Sequence, residues 1–153
     1  MKVLILGMGN PILSDDGVGL FIARKLREEV LPGVDIRTTA LAGPAILDLI
    51  NGYDHIFLID ASITGKTGSG VVTKFNHEAD GLLHLFSSHG LNFFELLQLG
   101  KALGYEMPEV GGVYGIEIGD EVCFGLQLSP QLREKSQCIV REIAEDIRAH
   151  LPA

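Results

Sequence analysis

The chain has 153 residues, 46% hydrophobic and 21% charged, and its 12 basic against 20 acidic residues give a net charge of −8. That length suits one domain with a core of its own, here residues 1–153. The acidic balance, with no basic cluster, argues against nucleic acid and against anionic membrane surfaces as partners.

The two cysteines, Cys123 and Cys138, are too few for a disulfide framework. The opening `MKVLILGMGNP` has a short apolar run followed at once by Gly-Asn-Pro and two aspartates. It reads as a buried first strand rather than a signal peptide or membrane helix. A cytoplasmic, enzyme-like domain is the expectation.

Residues 2–7 are predicted as that strand. From Asp16 to Val30, Val18, Phe21, Ile22, Leu26 and Val30 recur at helical spacing, and Pro32-Gly33 ends the helix. Residues 34–40 alternate as a strand does, and 43–52 form a short helix. `HIFLID` (55–60) is a second buried strand closing on an acid. Residues 68–76 read as a further strand, on an antiparallel edge. Residues 90–104 place Phe93, Leu96, Leu97 and Leu103 on one helical face. Residues 110–118 are a strand. Ser129-Pro130 opens the last helix as N-cap and first helical residue. Its core stripe is predicted as Leu132, Cys138, Ile139, Ile143, Ile147 and Leu151. Alternating strands and helices imply an α/β three-layer sandwich, a mostly parallel twisted sheet with helices on both faces.

The first turn, `GMGNPILSDDGVG` (7–19), carries two adjacent aspartates where a phosphate would usually sit. One reading is capping, with Asp15 as helix N-cap and Asp16 favoured by the helix dipole. A dinucleotide fingerprint fails, because Gly7 and Gly9 are followed by Ile12 at the third glycine position. The acids would also repel the pyrophosphate that a helix N-terminus otherwise attracts. The turn is therefore suited to a cation or a neutral group.

Asp60 lies where a strand's carboxyl end would bring it near Asp16, and two converging carboxylates repel unless a cation lies between them. His89, in `FSSHGLNF`, is the candidate third member. His55, His77, His84 and His150 are weaker candidates, His84 because it lies inside the apolar run `LLHLF`. Two carboxylates and one imidazole suit a borderline transition metal, and three ligands leave open positions. No G-x-S-x-G elbow surrounds Ser62, Ser87 or Ser88. Neither cysteine neighbours a histidine. Cys138 fits the core face of the last helix, and Cys123 is expected in or beside a strand.

The segment at 7–19, the `LID` ending at Asp60, `SSHGL` around His89 and `GLQLSPQL` (125–132) together resemble the nickel-iron hydrogenase maturation endopeptidases. They do so in the right order over nearly the whole chain. Such enzymes cut a C-terminal extension from the hydrogenase large-subunit precursor once nickel has been loaded. The resemblance implies that Asp16, Asp60 and His89 contact nickel brought by the precursor, with no permanently bound cofactor. Catalysis would fall to the same three residues. Gly9, Asn10, Asp15 and Gly17 would contact the substrate chain, with Gly7 also allowing close approach. A monomer docking transiently on the precursor is expected. The alternatives are a non-proteolytic metal-sensing chaperone or a nucleotide-binding domain of the same fold class.

Overall fold

A computed structural model describes residues 1–29, 31–75, 81–85, 92–121 and 123–152. Val30, His77, Ser87, Ser88 and His89 lie outside the described residues. Five strands form one sheet: β1 (Val3–Met8), β2 (Val34–Thr39), β3 (His55–Ser62), β4 (Val72–Phe75) and β5 (Glu109–Glu117). Their order is β2-β1-β3-β5-β4, parallel except for β4, the antiparallel edge strand. The helices are α1 (Val18–Leu26), α2 (Leu47–Ile50), α3 (Phe93–Ala102) and α4 (Pro130–His150), with 3-10 turns at Ser14–Gly17 and Gly43–Ile46.

The period-two alternation of a strand divides the core into two layers. Val3, Ile5, Phe57 and Ile59 face one side, packed with Val18, Ile22 and Leu26 of α1 and Ile139, Ile143 and Ile147 of α4. Leu4, Leu6, Ile56 and Leu58 face the other, against Leu47 and Ile50 of α2 and Phe93, Leu96 and Leu97 of α3. Because β1 and β3 are covered on both faces, they read as continuous apolar runs. The expected three-layer α/β sandwich is the fold found.

Some boundaries differ from expectation. β3 does not stop at Asp60 but continues through Ala61 and Ser62, which pair with β5. Leu103, predicted on the core face, is 64% exposed, because α3 has already ended at Ala102. Cys138 is exposed as well. It precedes Ile139 by one residue, and a step of about 100° takes it off the core stripe. Cys123 is also exposed, in the segment between β5 and α4 rather than in a strand. The start of α3 is fixed by a capping box: Asn92 accepts from the Glu95 amide, and Glu95 accepts from the Asn92 amide.

Close packing of α1 on the sheet requires glycine at two positions. A Cβ on Gly7 would lie 2.4 Å from the Gly19 carbonyl oxygen, and one on Gly19 would lie 2.2 Å from that of Met8. The helix thus starts directly against the carboxyl ends of β1 and β3. β1 is followed by β2 on one side in the sheet and has β3 on the other, so the strand order reverses at this crevice.

Candidate active site at the carboxyl edge of the sheet

Asp60 projects from β3 one residue beyond the last β1–β3 pair, Gly7 with Ile59. Its carboxylate is fully buried. It survives burial because four donors reach it. Oδ1 accepts from the Ala61 amide at 2.8 Å and faces the His84 Nδ1 at 2.6 Å. Oδ2 accepts from the amides of His84 at 2.7 Å and Leu85 at 3.2 Å. A buried carboxylate with such a shell is tolerated where a bare one would not be.

Asp16 arrives from the 3-10 turn after β1. The Asn10 amide donates to its Oδ2 at 3.2 Å, and His84 Nε2 lies 3.1 Å from the same oxygen. One imidazole therefore bridges the two acids, one nitrogen to each. Burial alone would lower the His84 pKa, but the hydrogen bonds to Asp16 and Asp60 outweigh it and push it up to about 10. Near neutral pH both ring nitrogens carry protons and donate, and the imidazolium offsets the repulsion between the acids.

Asp16 and Asp60 do converge on a cation, and that cation is His84. Its place within the apolar run `LLHLF` makes it a weak candidate from sequence alone. A local apolar run records that a segment is buried, not what it crosses. The backbone bridge between Ser62 and Leu82 and the two amides on Asp60 Oδ2 bring this segment across the end of β3. The available signal was Asp60 itself, since a carboxylate closing an apolar strand must find donors. His89 lies outside the described residues.

The other turn residues act mainly within the chain. Asn10 Oδ1 accepts from the Ile12 amide at 3.2 Å, an Asx turn that shapes the loop. Asp15 is not the cap of α1; its Oδ1 accepts from the Ser129 amide at 2.7 Å and ties the turn to the start of α4. A Cβ on Gly9 would meet the Asp16 carbonyl oxygen at 2.7 Å, so its lack of a side chain is required internally. Gly17 lines an open groove. Ser14 sits in the left-handed region at φ 49°, held by its amide to the Gly125 carbonyl and its hydroxyl to that of Gln127.

Among the described residues, no group of three histidine, cysteine, aspartate or glutamate side chains is placed to hold a metal ion. The reason is visible: the His84 ring lies between the two acids. The donor chemistry, carboxylate with imidazole nearby, remains of the kind nickel accepts.

An open α/β sheet with an acid pair at its switch point defines a catalytic or ligand-binding domain rather than a structural one. No protein-family profile matches the chain. The hydrogenase 2 maturation protease of Escherichia coli K12 is 28% identical over 120 residues, covering 76% of this chain and 73% of its own. The [NiFe] hydrogenase maturation protease HybD from Thermococcus kodakarensis is 28% identical with a TM-score of 0.65, over 96% of this chain and 99% of that one. The hydrogenase maturating endopeptidase HybD from E. coli superposes with a TM-score of 0.74 at 21% identity, over 97% and 93% of the two chains, a likeness of fold. The chain is thus similar in sequence, at 28% identity, and in fold to hydrogenase maturation proteases.

Proposed function

We propose that this protein is the endopeptidase that removes the C-terminal extension of a nickel-loaded hydrogenase large-subunit precursor during [NiFe] hydrogenase maturation. Homology to maturation proteases supports the peptidase activity and the class of substrate. The nickel reading is carried by one observation: Asp16 and Asp60, from separate strand ends, already share a single cationic group at 3.1 and 2.6 Å. Nickel is the precursor's cargo here. Asp16, Asp60 and His89 would engage it, with His84 turned out of the way. Nickel so held would supply Lewis acidity.

The two acids are not equivalent. Asp60 is wholly enclosed, whereas the Asp16 side chain keeps 15% of its surface exposed. Where nickel serves only as a checkpoint, Asp16 is therefore the carboxylate able to reach a water molecule as general base; where nickel acts as the Lewis acid, Asp16 is one of its holders. Asp60 orients the site. Gly9, Asn10, Asp15 and Gly17 form the turn over which the precursor's chain would pass. No helix among the described residues is long and apolar enough to cross a membrane. A cytoplasmic monomer that docks transiently is the form in which we expect it to act.

The experiment is to incubate the purified protein with nickel-loaded and with nickel-free precursor and to follow the tail's release. Cleavage of the loaded form alone is expected, and equal processing of both would refute metal-dependent recognition. His89→Ala should abolish cleavage with thermal stability nearly unchanged. Binding without cleavage of any precursor would favour a metal-sensing chaperone. Stabilisation by nucleotide would favour the nucleotide-binding alternative.

A further inference from the structure

Beside the acid pair runs a groove of about 460 Å³, lined by Gly17, Phe21, Arg24, Leu126, Leu128 and Arg133 among others. Neither Asp16 nor Asp60 lines it, but Gly17, the residue after Asp16, does. One wall is the start of α1. The other is the segment from 125 to 128, which backbone hydrogen bonds join to the first turn (Gly125 amide to Ile12, Ser14 amide to Gly125).

Two features set this groove apart on a chain of net charge −8. It carries two guanidinium groups. Arg133 is held in place by the Gln127 side chain and the Leu128 carbonyl, both at 3.0 Å. The Arg24 side chain makes no hydrogen bond or ion pair among the described residues, and Asp15 on the neighbouring turn is committed to Ser129. Its apolar lining is bare at Leu126, 82% exposed, and two exposed apolar residues stand close to it in sequence, Ile12 after the lining residue Pro11 (52%) and Phe124 two before Leu126 (86%). Large apolar side chains grouped around a concavity mark a docking surface.

We infer that this groove holds the tail of the precursor as an extended peptide, its apolar side chains against Leu126 and Phe21 and a carboxylate on Arg24. The inference rests on the proposed endopeptidase function. It adds the substrate segment's location and its required negative charge. A guanidinium with no side-chain partner among the described residues, in a groove lined by a second arginine and by no acid, favours an anionic partner, and the planar fork suits a carboxylate. The groove's position one residue from Asp16 suits a chain whose scissile bond lies at the acid pair.

The test is binding, which does not depend on cleavage. A fluorescein-labelled peptide with the sequence of the precursor's C-terminal extension from the same organism is titrated with the full chain, and anisotropy is read. Arg24→Glu should weaken binding about tenfold or more, and Arg24→Lys should retain most of it. Lys101→Glu on α3 changes the net charge equally but lies outside this groove; it should leave the affinity within about twofold of wild type. If amidating the peptide's C-terminus reproduces the Arg24→Glu loss, the terminal carboxylate is the partner. If amidation has no effect while Arg24→Glu does, the partner is an acidic side chain. No binding by wild type, or equal binding by Arg24→Glu, overturns the inference. So does a Leu126→Asp variant that abolishes self-association in light scattering but binds the peptide normally, since a second copy would then cover the groove. Tail binding that depends on Arg24 without cleavage of any precursor would leave the groove standing and remove the endopeptidase reading.

Discussion

His84 Nδ1 lies 2.6 Å from Asp60 Oδ1, inside a site where Asp60 has no exposed surface. With Nε2 on Asp16, the imidazole ring serves as the site's internal cation. Its pKa, raised from 6.5 to about 10, couples protonation to folding. A raised folded value means that the contribution is complete below the unfolded value of 6.5 and is lost as pH climbs through about 10. Unfolding free energy should therefore fall between neutral pH and pH 10, and His84→Gln should flatten that part of the profile. Nitrogen-15 spectra of the ring should show both nitrogens protonated at pH 8. A neutral imidazole there would remove the imidazolium bridge from the account.

Gly19→Ala should be among the most damaging single-methyl changes available in the chain. The added carbon would lie 2.2 Å from the Met8 oxygen and 2.6 Å from that of Ile59, both backbone atoms of the central strands. Neither can yield without moving β1 or β3. A loss of about 3 kcal/mol is expected, at the upper end for overpacking. Urea denaturation measures it; a change below about 1 kcal/mol would mean that α1 can shift away from the sheet.

At the far side of the sheet, Tyr114 is buried and its hydroxyl donates to Asp146 at 2.6 Å, while Lys74 reaches the same carboxylate oxygen at 2.8 Å. Burial alone would raise the Asp146 pKa, but the Lys74 and Tyr114 hydrogen bonds hold it below the ordinary 3.8. A lowered folded value gives stability that is present above the unfolded pKa and lost as pH falls through the folded one. Acid unfolding of Tyr114→Phe should begin at higher pH than in wild type, with about 1.5 kcal/mol lost at neutral pH. Superimposable acid transitions would show that this bond adds nothing.

The fold was legible because its strongest signals are local. `VLIL` and `IFLI` are buried on both faces, and Ser129-Pro130 starts α4 where a cap and a first-turn proline should, with Ser129 Oγ accepting from the Leu132 amide. Asp16 and Asp60 could be paired from sequence because each follows such an apolar run, and parallel neighbours align their carboxyl ends. His84 could not, since its position depends on a crossing segment whose register is set by the buried acid it serves. Cys138 was misplaced for a smaller reason, one residue of helical phase. Asn92 and Glu95 did carry a readable signature, N-x-x-E before an apolar run, which places the start of α3.

The unequal burial of the two acids separates folding from chemistry. Asp60→Ala removes the acceptor for three backbone amides and for one side of the imidazolium, all within the interior. Breaking a buried charge pair in this way costs about 3–5 kcal/mol. Asp16→Asn, by contrast, keeps an oxygen that can accept from the Asn10 amide or from His84 Nε2, in a side chain still partly in contact with solvent. Its stability loss should stay near 1 kcal/mol. Its cleavage rate on nickel-loaded precursor should nevertheless fall by about two orders of magnitude or more, the scale of a lost general base. The measurement is paired: thermal unfolding beside tail release for each variant. If Asp16→Asn cleaves at the wild-type rate while remaining folded, the general base is another group. If Asp16→Asn unfolds as readily as Asp60→Ala, Asp16 is a structural acid and its exposure has no catalytic meaning.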